Sequence, residues 1–174
     1  MYFPSLEILK EHQIDPLIIN KLDRWLGLQL PSTYFFLNPL QFAIDMSINT
    51  EISIQAFALC TQKSLNIMKV KYRLVCPNCG EYDRVTSNYN FMNESLYNCT
   101  QCSAPYNASN FEDFIELFFE LLIEPEHNPV SSLIIPKEVN KLLGKSESLR
   151  LSNVKDKPSV RRLLFSHYHN QDFD

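Results

Sequence analysis

The sequence predicts an α+β fold, a winged-helix-like helical unit with an inserted four-cysteine zinc ribbon, flanked by N- and C-terminal helices. Three observations predict it. Two CxxC pairs, Cys76-Pro77-Asn78-Cys79-Gly80 and Cys99-Thr100-Gln101-Cys102, stand at the spacing of a metal-binding knuckle pair. Two amphipathic segments joined by the short turn Ser47-Ile48-Asn49 precede them, and an alternating stretch from Leu65 to Val75 runs straight into Cys76. The chain has 174 residues, 45% hydrophobic and 21% charged, which is the composition of a folded globular protein rather than a disordered one.

Taken in order, apolar residues at Leu6, Ile8, Leu9, Ile14, Leu17, Ile18, Leu22, Trp25 and Leu26 predict two short amphipathic helices divided near Asp15-Pro16. Asp15 reads as an N-cap with proline in the first turn, Gly27 and Pro31 stop the second helix, and Trp25 is expected in the core. Asn38 and Pro39 repeat the cap-and-proline pattern ahead of a helix through Asp45. Thr50 reads as the cap of a helix over residues 51 to 63, on which Cys60 is expected to be a buried, unreactive thiol.

The four remaining cysteines carry the chemistry. Each CxxC turn aims two thiolates at one ion, and Gly80 supplies the positive φ that a knuckle needs. Four thiolates leave no open coordination position, so Cys76, Cys79, Cys99 and Cys102 predict a structural Zn2+ and no catalytic metal. Disulfides, an iron–sulfur site or a redox CxxC are the competing readings. Between the knuckles, Tyr82, Val85, Tyr89, Phe91, Leu96 and Tyr97 alternate with polar residues and predict two short strands around a turn at Ser87-Asn88 or Met92-Asn93, covering a small core.

Residues 111 to 122 fit two periods. Phe111, Phe114, Ile115, Phe118, Phe119 and Leu122 share a helical face, with Ser109 and Glu112 as a capping box, while Ile115, Leu117, Phe119 and Leu121 alternate as in a strand. Pro136 to Leu151 and Pro158 to His169 read as basic amphipathic helices before a polar tail. His167 and His169 are expected as solvated tail residues. The resulting division is an N-terminal helical segment (1–37), the winged-helix-like unit (38–135) with its ribbon (76–105), and the basic C-terminal helices and tail (136–174).

From Asn38 to about Pro125 the sequence resembles the domain of unknown function at the N-terminus of some bacterial class III adenylate cyclases. The matching features are Asn38-Pro39-Leu40-Gln41-Phe42-Ala43, the helix end from Ala56 to Leu65, both knuckles, and Phe114-Ile115-Glu116-Leu117-Phe118-Phe119. The resemblance implies a strand at residues 114 to 122 and a sensing or docking role. Nucleotide cyclisation is not carried over, because the matching residues include no cyclase domain.

Charge and motif content narrow the function. The net charge of −4 is divided into about +1 over residues 1 to 75, −8 over 76 to 129 and +3 over 130 to 174, and only Arg84 is basic between Cys76 and His127. A ribbon built for nucleic acid places Lys and Arg around its knuckles. With three glycines there is no phosphate-binding Gly-rich loop, and neither HExxH nor GxSxG occurs. The expectation is a non-enzymatic zinc-binding regulatory or adaptor protein that acts through a protein partner or homo-oligomer. The alternative is a nucleic-acid-binding transcriptional regulator using the helix pair and ribbon. Met1-Tyr2-Phe3-Pro4-Ser5-Leu6-Glu7 lacks the basic start and apolar run of a signal peptide, and no stretch has the length of a membrane span, so a cytoplasmic location without membrane contact is expected.

Overall fold

The computed structural model describes residues 1–93, 96–126 and 147–165. Its class is the expected mixture of helix and antiparallel sheet. The N-terminal segment forms a 3-10 helix, Pro4–His12, that buries Leu6 and Leu9 and ends at Gln13 in the left-handed region (φ 62). Helix α1 (Pro16–Gly27) begins at Asp15, whose carboxylate accepts the Leu17 N–H at 2.7 Å, as the Asp-Pro pattern predicts. The buried carboxylate of Asp23 on α1 accepts the N–H groups of Tyr2, at 2.8 and 3.0 Å, and of Phe3, at 2.7 Å. Three charge-assisted bonds thus fix Tyr2 and Phe3 to the third turn of α1.

Gly27 is the last residue of α1 but lacks the left-handed conformation its sequence position implies. It does not adopt a positive φ; instead the Tyr2 ring lies where its side chain would be, with a Cβ meeting ring atoms at 2.4 to 2.9 Å. The Tyr2 backbone is held by Asp23, so an added methyl has to displace the ring about its own side-chain bonds. Gly27→Ala is therefore expected to destabilise the protein by about 1–3 kcal/mol, read as a lower midpoint in urea.

Helix α2 (Pro39–Asp45) is capped by Asn38, which accepts the Leu40 N–H at 3.0 Å. Helix α3 (Thr50–Cys60) is capped by Asn49 rather than Thr50: Asn49 Oδ1 accepts from Glu51 and Ile52, and Thr50 is the first helical residue. Asparagine ranks ahead of threonine at this position, so the shift by one residue follows ordinary capping chemistry. Trp25 is buried as expected, meeting Phe42 at a tilt and Phe57 edge-on (centroids 5.4 and 6.1 Å), and its Nε1–H donates to Asp45 at 2.7 Å.

The main sheet has the order β2-β1-β5-β6 and is antiparallel throughout. Strand β1 (Met68–Val75) lies centrally between β2 (Tyr82–Thr86) and β5 (Ile115–Leu121), and β6 (Leu149–Arg150) forms the far edge, where Leu37 also makes a bridge to Phe119. The ambiguous segment is thus a strand from Ile115 onward, preceded by a 3-10 turn, Glu112–Phe114, and the expected Ser109–Glu112 capping box is replaced by Asn107, which accepts the Ser109 N–H. Alternation sorts the two faces. Met68, Val70, Tyr72 and Leu74 pair with Leu121, Phe119, Leu117 and Ile115 on the inner face, which packs on the helices through contacts such as Phe57 against Phe119 (5.2 Å).

At the C-terminal end the basic helix expected through Leu151 is overturned where the structure describes it. Leu149 and Arg150 pair with Leu117 and Glu116 as β6, and Leu151–Val154 is a 3-10 turn. An exposed sheet edge beside β5 offers backbone partners that a helix could not use. Residues 136 to 146 of that expected helix, and His167 and His169, lie outside the described residues. The last described element is α4 (Pro158–Phe165), which buries Val160, Leu164 and Phe165. One cluster of buried residues draws on the N-terminal 3-10 helix, α1 to α4 and the sheet. No helix among the described residues is long and apolar enough to cross a membrane.

Candidate metal centre

The first knuckle follows directly from β1. Gly80 N–H donates to Cys76 C=O (2.8 Å) and Cys76 N–H to Glu81 C=O (2.9 Å), and Gly80 has φ 75. The second knuckle repeats this pattern on Cys99: Ser103 N–H donates to Cys99 C=O (2.9 Å) and Cys99 N–H to Ala104 C=O (3.0 Å). Ser103 occupies the position equivalent to Gly80 and takes φ 59, a conformation that costs a non-glycine residue about 1–2 kcal/mol. Sequence reasoning identified Gly80 but missed its counterpart, although aligning Cys-Pro-Asn-Cys-Gly with Cys-Thr-Gln-Cys-Ser would have exposed it. Ser103→Gly is expected to raise stability by about 0.5–1 kcal/mol with metal content unchanged, measured by thermal unfolding beside elemental analysis.

These two turns bring all four predicted cysteines together, with their sulfurs within 4.8 Å of one another. Cys76 Sγ lies 3.7 Å from Cys102 Sγ, and Cys79 Sγ 3.8 Å from Cys99 Sγ. A disulfide requires about 2.05 Å, whereas the edge of a tetrahedron with metal–sulfur bonds of about 2.3 Å is roughly 3.8 Å. The donor set therefore fits a single tetrahedral ion. Cys76 and Cys99 are buried and Cys79 and Cys102 lie outward, so an ion would be held at the edge of the lobe.

The surroundings favour thiolate. Gln101 N–H approaches Cys99 Sγ at 3.3 Å, and Asn78 Nδ2 approaches Cys102 Sγ at 3.5 Å. The Ala104 N–H first, and Asn78 next, bring the Cys102 thiol down to about 6. Although the Glu81 N–H lowers Cys79, desolvation and the three neighbouring sulfurs push it up to about 12. Protons are thus unequally shared among the coupled thiols.

Asp83, which the sequence did not single out, joins the two halves of the centre. It sits at the bulge where β2 meets β1, with its side chain fully buried, and its carboxylate accepts the Thr100 N–H (2.8 Å), the Tyr106 hydroxyl and Arg84 Nε (3.0 Å). Burial alone would raise its pKa; hydrogen bonds from Tyr106, Thr100 and Arg84 outweigh that and bring it down to about 2. Thr100 lies inside the second knuckle and β2 follows the first, so this carboxylate fixes one knuckle against the other.

The segment between the knuckles departs from the expected pair of local strands. Strand β2 joins the main sheet, Tyr89–Asn93 is a 3-10 turn, and the second knuckle is framed by β3 (Tyr97–Asn98) and β4 (Pro105–Tyr106). Phe91 and Tyr97 are buried as expected, but Tyr82 and Val85 lie exposed on the sheet.

With both knuckles and the sheet placed, the similarity to known families can be read on the structure. A model of a family of unknown function (DUF5939) matches residues 4–130. The chain belongs to that family. The DUF5939 match takes in α1 to α3, both knuckles and β1 to β5, while β6 and α4 lie beyond it. No curated protein and no solved structure matches the chain significantly.

Cys60 remains apart from this centre. It is the last residue of α3 and fully buried, and burial pushes its thiol up to about 12. Brief iodoacetamide treatment of the metal-loaded native protein is expected to leave Cys60 unlabelled by mass spectrometry; rapid labelling would place it at the surface.

Proposed function

We propose that this protein is a non-enzymatic, zinc-binding adaptor or regulatory module of the cytoplasm that acts through protein–protein contacts. Its architecture is read as a winged-helix-like unit over residues 38–135, containing α2, α3, β1 and β5, with a zinc ribbon inserted between those two strands. Zinc is the ion that an all-thiolate tetrahedral set with no open position suits best, and its role is structural. The docking role implied by the resemblance to cyclase N-terminal domains agrees with this reading.

The observation that carries it is the character of α3, the helix that a nucleic-acid-binding unit of this order would place in the major groove. Helix α3 contains no Lys or Arg, and only Thr50, Glu51, Ile52 and Gln55 are exposed along it. Three cations of the described C-terminal segment are engaged within the chain, Lys157 with Glu51 (2.7 Å), Arg161 with Glu112 (3.6 Å) and Arg150 with the Asp113 carbonyl, while Lys155 and Arg162 are exposed. A surface that has to neutralise phosphate needs cations that face outward. Lys157, Arg161 and Arg150 instead tie the described part of the C-terminal segment to Glu51, Glu112 and Asp113.

Gel shifts with genomic DNA and total RNA at two salt concentrations, beside affinity capture of proteins from the source cell, test the proposal. Capture of a defined protein partner without a shift is the expected result. A salt-dependent shift lost on replacing Arg150, Arg161 and Arg162 by Glu overturns it in favour of the nucleic-acid-binding regulator.

A further inference from the structure

Strand β6 and helix α4 lie beyond the DUF5939 match, whereas the groups they pack on lie within it. At the edge of β5, Glu116 and Leu117 pair with Arg150 and Leu149, and Asn38 Nδ2 donates to the Glu147 carbonyl at 2.9 Å. Past that edge, Leu151, Val154, Val160, Leu164 and Phe165 are buried in the common core cluster. Helix α4 lies against α3, and Phe165 stacks on Tyr89 at 4.2 Å and on Tyr72 at 6.2 Å. The receiving surface therefore lies in the family unit and its cover outside it.

That surface has three parts with distinct chemistry. The β5 edge offers backbone groups to an extended segment, the cleft between α3 and the Tyr89–Asn93 turn offers apolar and aromatic side chains to one helical face, and Glu51, Glu112 and the Asp113 carbonyl form an acceptor rim. The cover matches each part in turn: a strand, then a helix with Val160, Leu164 and Phe165 on its buried side, and Arg150, Lys157 and Arg161 on the rim. Strand β6 has two residues and α4 eight, both too short to hold their form away from the surface that receives them. Their order is thus a consequence of docking.

We propose that the β5 edge and the adjoining α3 cleft are the protein's partner-docking site, with residues 149–165 as its intramolecular occupant. The inference rests on the protein-interaction reading above and names the surface and the kind of partner. The partner is a polypeptide segment of the occupant's own chemistry, a short strand followed by a basic amphipathic helix, which takes the site when the C-terminal segment leaves it. Because the occupant is tethered, it competes at an effective concentration of the order of millimolar and keeps the site closed to weak ligands. Tyr89 lies between the two knuckles, so the metal-ordered lobe forms one wall of the same site.

The test uses the metal-loaded full chain and a fluorescent peptide spanning residues 147–165, followed by anisotropy. Wild-type protein, its site filled, is expected to bind the peptide at least about tenfold more weakly than a Val160→Asp/Leu164→Asp chain, whose own helix no longer suits the cleft. A peptide carrying the same two substitutions is expected not to bind, and the unsubstituted peptide should slow hydrogen exchange along β5 and α3 of the opened chain. Lys157→Glu with Arg161→Glu loosens the rim while keeping every apolar contact, and should give a smaller gain in peptide binding. Equally weak binding by wild type and both variants overturns the proposal. So does a Val160→Asp/Leu164→Asp chain that loses its metal or its exchange protection in α1 and β1, because residues 149–165 are then an inseparable part of the core. An opened chain that refuses the peptide yet captures a defined protein partner removes this site and leaves the adaptor reading standing; a salt-dependent nucleic-acid shift with peptide binding intact does the reverse.

Discussion

Cys76→Ser is expected to lose nearly all bound metal and to unfold the lobe between the knuckles. Three thiolates and a hydroxyl hold a tetrahedral ion poorly. An all-cysteine site of this kind supplies apparent binding of about 10–16 kcal/mol, comparable with the whole net stability of a domain at about 5–15 kcal/mol. The effect should spread beyond residues 76 to 106. Tyr89 stacks on Phe165 of α4 at 4.2 Å, and Phe91 packs on Tyr72 of β1 at 5.1 Å, so a disordered lobe removes one wall of the pocket that holds α4. Elemental analysis should fall from one ion per chain towards zero, and hydrogen exchange should quicken in α4 as well as in the knuckles. Retention of the native exchange pattern without metal would sink the structural-site assignment.

The reach of that prediction depends on features that were unequally visible in the sequence. The knuckles were legible because their chemistry is local: two thiols three residues apart, a turn, and a residue able to take positive φ. Proline-led helices were legible for the same reason, since Asp15 and Asn38 act on N–H groups two residues away. Thr50 and Asn49 are both good caps, and local chemistry alone did not separate them. Residues 111 to 122 could not be resolved by period, because Phe118 shares a helical face with Phe114 and Ile115 yet in the sheet lies opposite to Phe119. What decided it was pairing with β1, a contact across more than forty residues. Strand β6 was missed for the same reason, being only two residues long and defined entirely by its neighbour β5. Asp83 looked like one more member of an acidic run; its importance comes from Thr100 and Tyr106, which the fold alone brings to it.

Asp83→Ala is expected to have the second-largest effect, although Asp83 is not a ligand. The substitution leaves the Thr100 N–H, the Tyr106 hydroxyl and the Arg84 guanidinium facing a small apolar side chain, and losing these partly solvated bonds to one carboxylate costs about 2–4 kcal/mol. Because Thr100 lies between Cys99 and Cys102, the second knuckle keeps only the Thr100 hydroxyl on the Asp83 carbonyl (3.4 Å) and Arg84 on the Asn98 carbonyl (3.3 Å), and metal affinity should fall about 10–100-fold, the range for groups that orient ligands. Asp83→Asn separates charge from shape: an amide can still accept from Thr100 but meets Tyr106 and Arg84 without a negative charge, so an intermediate loss is expected. The pH dependence follows from the sign of the shift. A carboxyl held at about 2 when folded, against an ordinary value near 3.9, contributes its full stability above about pH 4 and loses it as pH falls towards 2. Thiolate protonation releases metal well before that window on acidification, so the comparison belongs at neutral pH, where the difference between wild type and Asp83→Asn should be constant from about pH 6 to 8. Urea unfolding of the metal-loaded proteins, beside competition with a chromogenic chelator, measures both quantities. A variant with wild-type metal affinity, or a stability difference that grows steadily across that neutral range, would show that Asp83 does not fix the second knuckle as an ionised carboxylate.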